Sequence, residues 1–406
     1  MKWISIAITA PEACASGPEK EAGKIAELLR SDAVEFVHIR KPGVPEQYLR
    51  DLIESVPADL HCRLTLHDHL NLAGPLGVGG VHLNSRYNAE PPQWNGRLSR
   101  SCHSLEEACE WAAKPAINYV TLSPVFDSIS KAEHHAAFTL AGLRGKLPKG
   151  KVIALAGVAP DKFALLRRTG FAGAAMLGYI WQGAGDFEER LKALRLRRML
   201  IENFPLLLVT GSDIPDEAVS QACAAYRGGC RWFQLRMKNA DTAVRAETLR
   251  RLRRELGDDA LIMVDDDTEA ARLAGADGVH LGVGDMPTAE ARRILGPAPL
   301  IGRTAHNLQE ALIPDAREAD YLGVGPYRFT RTKEKLASLL GAEGLTALLA
   351  GAKEAGMNLP VTAIGGIEPS DVKAVLDAGA DGVAVSGAIN RTDDPVQATR
   401  AFLMQL

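Results

Sequence analysis

Toward the C-terminal half of this 406-residue chain, cations, carboxylates and hydroxyls gather at the ends of short apolar runs. Gln234, Arg236 and Lys238 alternate along one run, so an extended backbone turns all three to one side. Arginine offers a planar fork and lysine a point charge, which with an amide suit a polyphosphate; a solvated strand end fits the same residues. After the next run stand Asp265, Asp266 and Asp267, and after the one following, Asp285. Carboxylates from neighbouring strand ends can share a hard cation such as Mg2+, although a single Asp there is as well explained by helix capping. Thr330, Thr332 and Lys333 make an oxyanion-binding loop, or an exposed polar one. Gly365-Gly366 and Ser386-Gly387 follow the last two runs, where glycine lets backbone N–H groups approach a phosphate closely and also permits a plain tight turn.

These residues must be positioned by something, and a repeat shows what. Gly80-Val81-His82-Leu83 returns as Gly278-Val279-His280-Leu281, and His67-Asp68-His69 aligns with Asp265-Asp266-Asp267. Cys102-His103 matches Ala305-His306, and Tyr119–Lys131 matches Tyr321–Lys333. Leu155–Val158 matches Ile364–Ile367, and Gly173–Gly178 matches Gly382–Gly387. The order is kept at an offset of about 200 residues, too long for a solenoid unit, so a whole domain is duplicated.

In the second copy, eight apolar runs are expected as strands: Leu206–Thr210, Trp232–Leu235, Leu261–Val264, Gly278–Leu281, Leu300–Gly302, Tyr321–Val324, Val361–Ile364 and Val383–Ser386. They lack clean alternation, as parallel strands buried on both faces do. Amphipathic stretches such as Asp216–Arg227 and Ala243–Glu255 lie between them. Eight β/α pairs in each copy predict an α/β fold of two tandem TIM (β/α)8 barrels, residues 1–203 and 204–406, in preference to a doubly wound sheet. Phe187–Ile201 reads as the last helix of the first barrel.

Bulk properties narrow the partners. A formal net charge of -3 gives no reason to expect nucleic acid. Six cysteines without a C-x-x-C pair read as reduced thiols, and neither a leader nor a membrane-spanning apolar run is recognisable, so a cytoplasmic protein is expected. Two phosphorylated small molecules, one carrying a diphosphate leaving group, fit a metal-assisted anion site at Gln234–Asp285 and a phosphate cup at Gly365-Gly366 and Ser386-Gly387, and the sequence leaves room for an oligomer.

From about Phe204 onward these motifs resemble the thiamine-phosphate synthases. The resemblance rests on Gln234-x-Arg236-x-Lys238, Asp266, Asp277-Gly278-Val279-His280-Leu281, Asp285, Ala305-His306, Thr330-x-Thr332-Lys333, Ala363–Ile367 and Gly382–Ser386. It implies that Gln234, Arg236, Lys238 and Lys333 bind the pyrimidine diphosphate, with Arg236, Lys238 and Lys333 catalytic. It implies Mg2+ on Asp266 and Asp285, and Thr304 against the pyrimidine. Thr330, Thr332, Gly366, Val385 and Ser386 would hold the thiazole phosphate, and Gly365 is a further expected substrate-binding residue. The implied reaction loses pyrophosphate to leave a pyrimidinylmethyl cation, which the thiazole nitrogen attacks, so positioning and charge stabilisation suffice. The family usually has Asn before the metal Asp, whereas this chain has Asp265, which is expected to bind substrate still, keeping an acceptor and losing a donor. Arg303 and Tyr327-Arg328 also depart from the pattern.

The first copy resembles the same superfamily, which includes thiazole tautomerases, with an altered site. His38-x-Arg40-Lys41 replaces the Gln-x-Arg-x-Lys run, and Asn84–Tyr87 stands where the second metal Asp would be. Ser128-x-Ser130-Lys131, Gly157 and Gly178 keep part of the phosphate pattern, while Pro124 stands where the tautomerase histidine belongs, with His134 and His135 nearby. This copy is expected either to bind or process thiazole phosphate or to be a degenerate partner. Cys102-His103 is a candidate dyad without an orienting acid, and His82 and His280 are read as core or support residues. Another phosphate-handling TIM-barrel enzyme and a phosphate sensor or scaffold are the rival readings of the whole chain.

Overall fold

The computed structural model describes residues 2–127, 135–183, 185–329 and 338–406. Sixteen strands, all paired in parallel, close into two barrels. The first barrel contains β1 (Ile4–Ile8), β2 (Phe36–Ile39), β3 (Leu64–Leu66), β4 (Gly80–Leu83), β5 (Arg97–Cys102), β6 (Tyr119–Leu122), β7 (Val152–Leu155) and β8 (Gly173–Met176). The second contains β9 (Leu206–Val209), β10 (Trp232–Leu235), β11 (Leu261–Asp265), β12 (Gly278–Leu281), β13 (Leu300–Ala305), β14 (Tyr321–Val324), β15 (Val361–Ile364) and β16 (Gly382–Val385). Closure is made by Ile4 opposite Gly173 in one and Leu206 opposite Val383 in the other. The expectation of two α/β TIM barrels is therefore met.

The chain divides into two compact units, Met1–Arg198 and Met199–Leu406. The helix Phe187–Asn203 runs across that division, two residues longer than its apolar spacing suggested. The helices Pro215–Gly228 and Thr242–Leu256 extend the amphipathic stretches recognised in the sequence by one residue at each end. Among the described residues no helix is long and apolar enough to cross a membrane.

Alternation along the second barrel's strands decides what faces where. Phe233 and Leu235, Ile262 and Val264, Val279 and Leu281, and Val383 and Val385 belong to one buried cluster with the helix residues Ala222, Ala225, Leu249 and Leu252. Gln234, Met263 and Asp265, and His280 lie one residue out of phase with these, which directs them into the barrel. Gly302 makes room for one of them: a Cβ there would stand 2.4 Å from His280 Nδ1.

Candidate active site

At the C-terminal mouth of the second barrel lies a cavity of about 690 Å³. Gln234, Arg236, Lys238, Asp265, Asp266, Asp285, Thr304, Gly365, Gly366, Val385 and Ser386 all line it. The second-barrel residues to which the resemblance gives a role, so far as they fall within the described residues, are thus brought to one space. Thr330, Thr332 and Lys333 lie outside the described residues.

Asp265 ends β11 between two residues of the β10 run. Gln234 Nε2 donates to its Oδ1 at 2.5 Å, and Arg236 Nε lies 3.2 Å from its Oδ2. Thr210 fixes the backbone of Arg236 by accepting from its N–H at 2.9 Å through Oγ1. The missing amide donor at this position is therefore exchanged for an ion pair that orients a cavity arginine.

Asp266, the next residue, has a left-handed backbone with φ 64°, and its N–H donates to His280 O at 2.8 Å. Burial, the Asp265 charge and contact with the Asp285 carboxyl push the Asp266 carboxyl up to about 8. Asp285 Oδ2 accepts from Gly282 N–H at 2.5 Å, which fixes it beside Asp266. Asp267 does something else. It caps the helix Thr268–Ala274 by accepting from Ala270 N–H at 2.8 Å, and it pairs with Arg245 at 2.8 Å. Of the acidic triplet, capping thus accounts for the third residue. Arg245 also donates to Met237 O and Lys238 O, bracing the segment that carries Lys238.

His280 spans the barrel interior, hydrogen-bonded at 3.0 Å to Tyr321 Oη through Nδ1 and at 3.0 Å to Thr304 Oγ1 through Nε2. It supports Thr304, as expected of a support residue, and it also lines the cavity itself. The phosphate side is built of turns. Gly366 has φ 61°, and a Cβ there would meet Phe329 O at 2.5 Å. Ser386 opens the short helix Gly387–Asn390, whose Asn390 Nδ2 donates to Val209 O at 2.9 Å and to Ser386 Oγ at 3.2 Å.

The unusual residues have structural places. Arg303 is buried with its guanidinium 2.8 Å from Asp315 and donating to Met286 O. Tyr327 joins the hydrophobic core, and Arg328 pairs with Asp371 at 2.5 Å. Sequence reasoning missed Arg391, His306, Phe329 and Glu368 as cavity residues. Arg391 follows Ser386 by five residues, a spacing that a short helix after a phosphate-binding turn would have suggested.

The first barrel diverges at matching positions. The Asp68 carboxylate accepts from Arg86 Nη2 at 2.9 Å and from Lys41 N–H at 2.8 Å, so a guanidinium stands beside the acid. Lys41 Nζ is buried against Glu21 at 2.6 Å and donates to Ala10 O and Glu12 O. Leu177 and Gln182 stand where the second copy has Ser386 and Arg391. Trp181 Nε1 donates to Ile8 O at 2.6 Å, where Asn390 reaches Val209 O. Burial, with Glu107 adding to it, pushes the Cys102 thiol up to about 12, which argues against nucleophilic use of the Cys102-His103 pair. His135 is largely exposed beside Asp127 at 3.6 Å, while Ser128, Ser130, Lys131 and His134 lie outside the described residues.

His38, His67 and His82 occupy the positions of Gln234, Asp265 and His280. His38 Nδ1 and His67 Nε2 share a hydrogen bond of 2.8 Å, and the His67 and His82 rings stack with centroids 4.1 Å apart. Burial holds all three well below the usual imidazole range, His82 at about 3.

A family model described as thiamine monophosphate synthase matches residues 5–180 and again 206–389. The chain is 45% identical over 186 residues to a thiamine-phosphate synthase of Bacteroides fragilis, an alignment covering 46% of this chain and 91% of that protein. A thiamine-phosphate synthase of Bacteroides thetaiotaomicron is 46% identical over 185 residues, covering 45% and 88%. Among solved structures, a thiamine phosphate pyrophosphorylase from Pyrococcus furiosus is 36% identical, with a TM-score of 0.44 over 51% of this chain and 96% of that one.

Proposed function

Because the chain belongs to the thiamine monophosphate synthase family, we propose that its second barrel, residues 204–406, is the synthase. It transfers a pyrimidinylmethyl group from 4-amino-2-methyl-5-pyrimidinylmethyl diphosphate to a thiazole phosphate, giving thiamine phosphate and pyrophosphate. The observation that carries this reading is the meeting of Arg236 and Lys238, the Asp266–Asp285 pair and a glycine-serine turn around one cavity.

Arg236 and Lys238, with Lys333 from the Thr-x-Thr-Lys loop, take the diphosphate and stabilise it as it leaves. Thr304, held by His280, and Gln234 face the pyrimidine. Gly365, Gly366, Val385 and Ser386, with Thr330 and Thr332, hold the thiazole phosphate. Arg391 lines the same side and adds a cation to it. With both partners held, the thiazole nitrogen is kept in line with the methylene carbon, and no protein nucleophile is needed.

The acids suit Mg2+. Asp265 has both oxygens engaged by Gln234 and Arg236, which leaves Asp266 and Asp285 crowded together. Two carboxylates plus phosphate oxygens are a common magnesium environment. A bound ion would neutralise the diphosphate.

Residues 1–203 are read as an altered copy without synthase activity, since Arg86 takes the place beside Asp68 that a cation would need. A cytoplasmic location belongs to the same reading. The direct test supplies both substrates and Mg2+ to the full chain and to Lys333→Ala. Thiamine phosphate from the wild type, with turnover lowered about ten- to a thousandfold in the variant, is expected from the usual weight of such electrostatic groups. No product from the wild type would overturn the proposal.

A further inference from the structure

We propose that His38, His67 and His82 in the first barrel form a binding site for one divalent first-row transition ion, zinc being the best fitted. Among the described residues they are the one group of three or more ligating side chains whose donor atoms converge, all within 4.8 Å of one another. A tetrahedral zinc with bonds of 2.0–2.1 Å spaces its nitrogens by about 3.4 Å, so ring shifts of roughly an ångström convert the hydrogen-bonded cluster into a shell.

The surroundings are arranged as metal-bound imidazoles require. His38 Nε2 is hydrogen-bonded to Tyr119 Oη at 2.7 Å, which leaves Nδ1 facing His67. His82 has a serine on each nitrogen, Ser99 and Ser101, both at 2.8 Å. One of these can stay as the outer partner that fixes the ring while the other nitrogen turns to the ion. In the second barrel Tyr321 serves His280 and Gly302 offers no side chain. In the first, Ser99 takes over His82 and Tyr119 serves His38 instead. Three nitrogen donors and no carboxylate favour zinc over magnesium.

Charge sets a condition on the site. Arg40 and Arg86 face His67, Arg97 faces His38 and Arg100 faces His82. Arg86 is paired with Asp68 and Arg100 with Glu107, but Arg40 and Arg97 keep the surroundings cationic, so a dication is best retained when an anion completes its shell. The fourth position is therefore assigned to an anionic oxygen, with inorganic phosphate as its probe. His67, 5% exposed, is the least buried of the three.

The test uses the metal-stripped full chain without a polyhistidine tag, titrated with Co2+ under saturating Mg2+. One equivalent should give the strong visible absorption of four- or five-coordinate cobalt. Zn2+ should erase it, and phosphate should tighten binding. His38→Gln installs the residue that the second barrel uses at this position, so the fold has a precedent for it. It should lose the absorption and weaken binding at least about 100-fold while synthase activity and circular dichroism stay unchanged. His67→Asn gives the same outcome by a second route, and Tyr119→Phe should weaken binding about tenfold by removing only an outer partner. No absorption in the wild type, or equal absorption in His38→Gln and His67→Asn, would overturn the site; no effect of phosphate would overturn the anionic fourth ligand. Failure here leaves the synthase reading of the second barrel untouched.

Discussion

Arg236 and Asp265 form an ion pair in the wall of the second-barrel cavity, Nε to Oδ2 3.2 Å, with Gln234 holding the other carboxylate oxygen at 2.5 Å. The pair holds the guanidinium of Arg236 at the cavity wall and also competes with an incoming diphosphate for it. Asp265→Asn keeps the oxygen for Gln234 and removes the charge. The KM for the pyrimidine diphosphate should then fall, by about three- to tenfold, as Arg236 turns fully to phosphate. Steady-state kinetics with the thiazole phosphate saturating checks this; a raised KM would show that the pair is needed for orientation.

The folded Asp266 carboxyl titrates near 8 instead of the usual carboxylate value, so the metal-free fold holds a proton that the unfolded chain gives up far lower. The associated stability is fully present below the unfolded value of about 4 and is lost as pH rises through about 8. The Tm of the metal-free protein should therefore fall between pH 5 and 8 relative to Asp266→Asn, and Mg2+ should recover part of the loss. The variant should be at least as stable as wild type at pH 8, because it removes like-charge crowding and Asn tolerates the φ of 64°. Parallel pH profiles for the two proteins would contradict the assignment.

Much of this was readable from sequence, for particular reasons. The strands were legible because apolar runs such as Trp232–Leu235 and Gly278–Leu281 are bounded by turn residues, and alternation placed Gln234, Arg236 and Lys238 together. The duplication supplied the register between copies. What one run could not show was which neighbour each side chain would meet. Asp267 looks like Asp266 in sequence, yet the helix start at Thr268 and the guanidinium of Arg245 claim it. Arg391 is legible only through its five-residue spacing from Ser386, because the turn and short helix that begin there bring it to the cavity. The three histidines of the first barrel are 15 to 44 residues apart, and strand register alone makes them neighbours.

The phosphate turn yields a third prediction. Arg391→Ala should raise the KM for the thiazole phosphate about tenfold, in line with the loss of a charge-assisted contact, and leave the KM for the diphosphate within about twofold. Equal effects on both substrates would place Arg391 outside the thiazole side.

Backbone conformation gives a fourth. Gly366→Ala puts a Cβ 2.5 Å from Phe329 O at a φ of 61°. The strain should cost about 1–3 kcal/mol, visible in denaturant unfolding, together with weaker thiazole phosphate binding. Wild-type stability and KM would mean that the turn relaxes freely.

The central claim is that synthesis belongs to the second barrel and depends on its paired acids. It is tested most directly by comparing thiamine phosphate formation in Asp266→Ala and Asp68→Ala, the matching acids of the two copies. Turnover should be lowered about ten- to a thousandfold in Asp266→Ala and stay near wild type in Asp68→Ala. Full activity in Asp266→Ala, or activity abolished by Asp68→Ala in a protein that still folds, would contradict it.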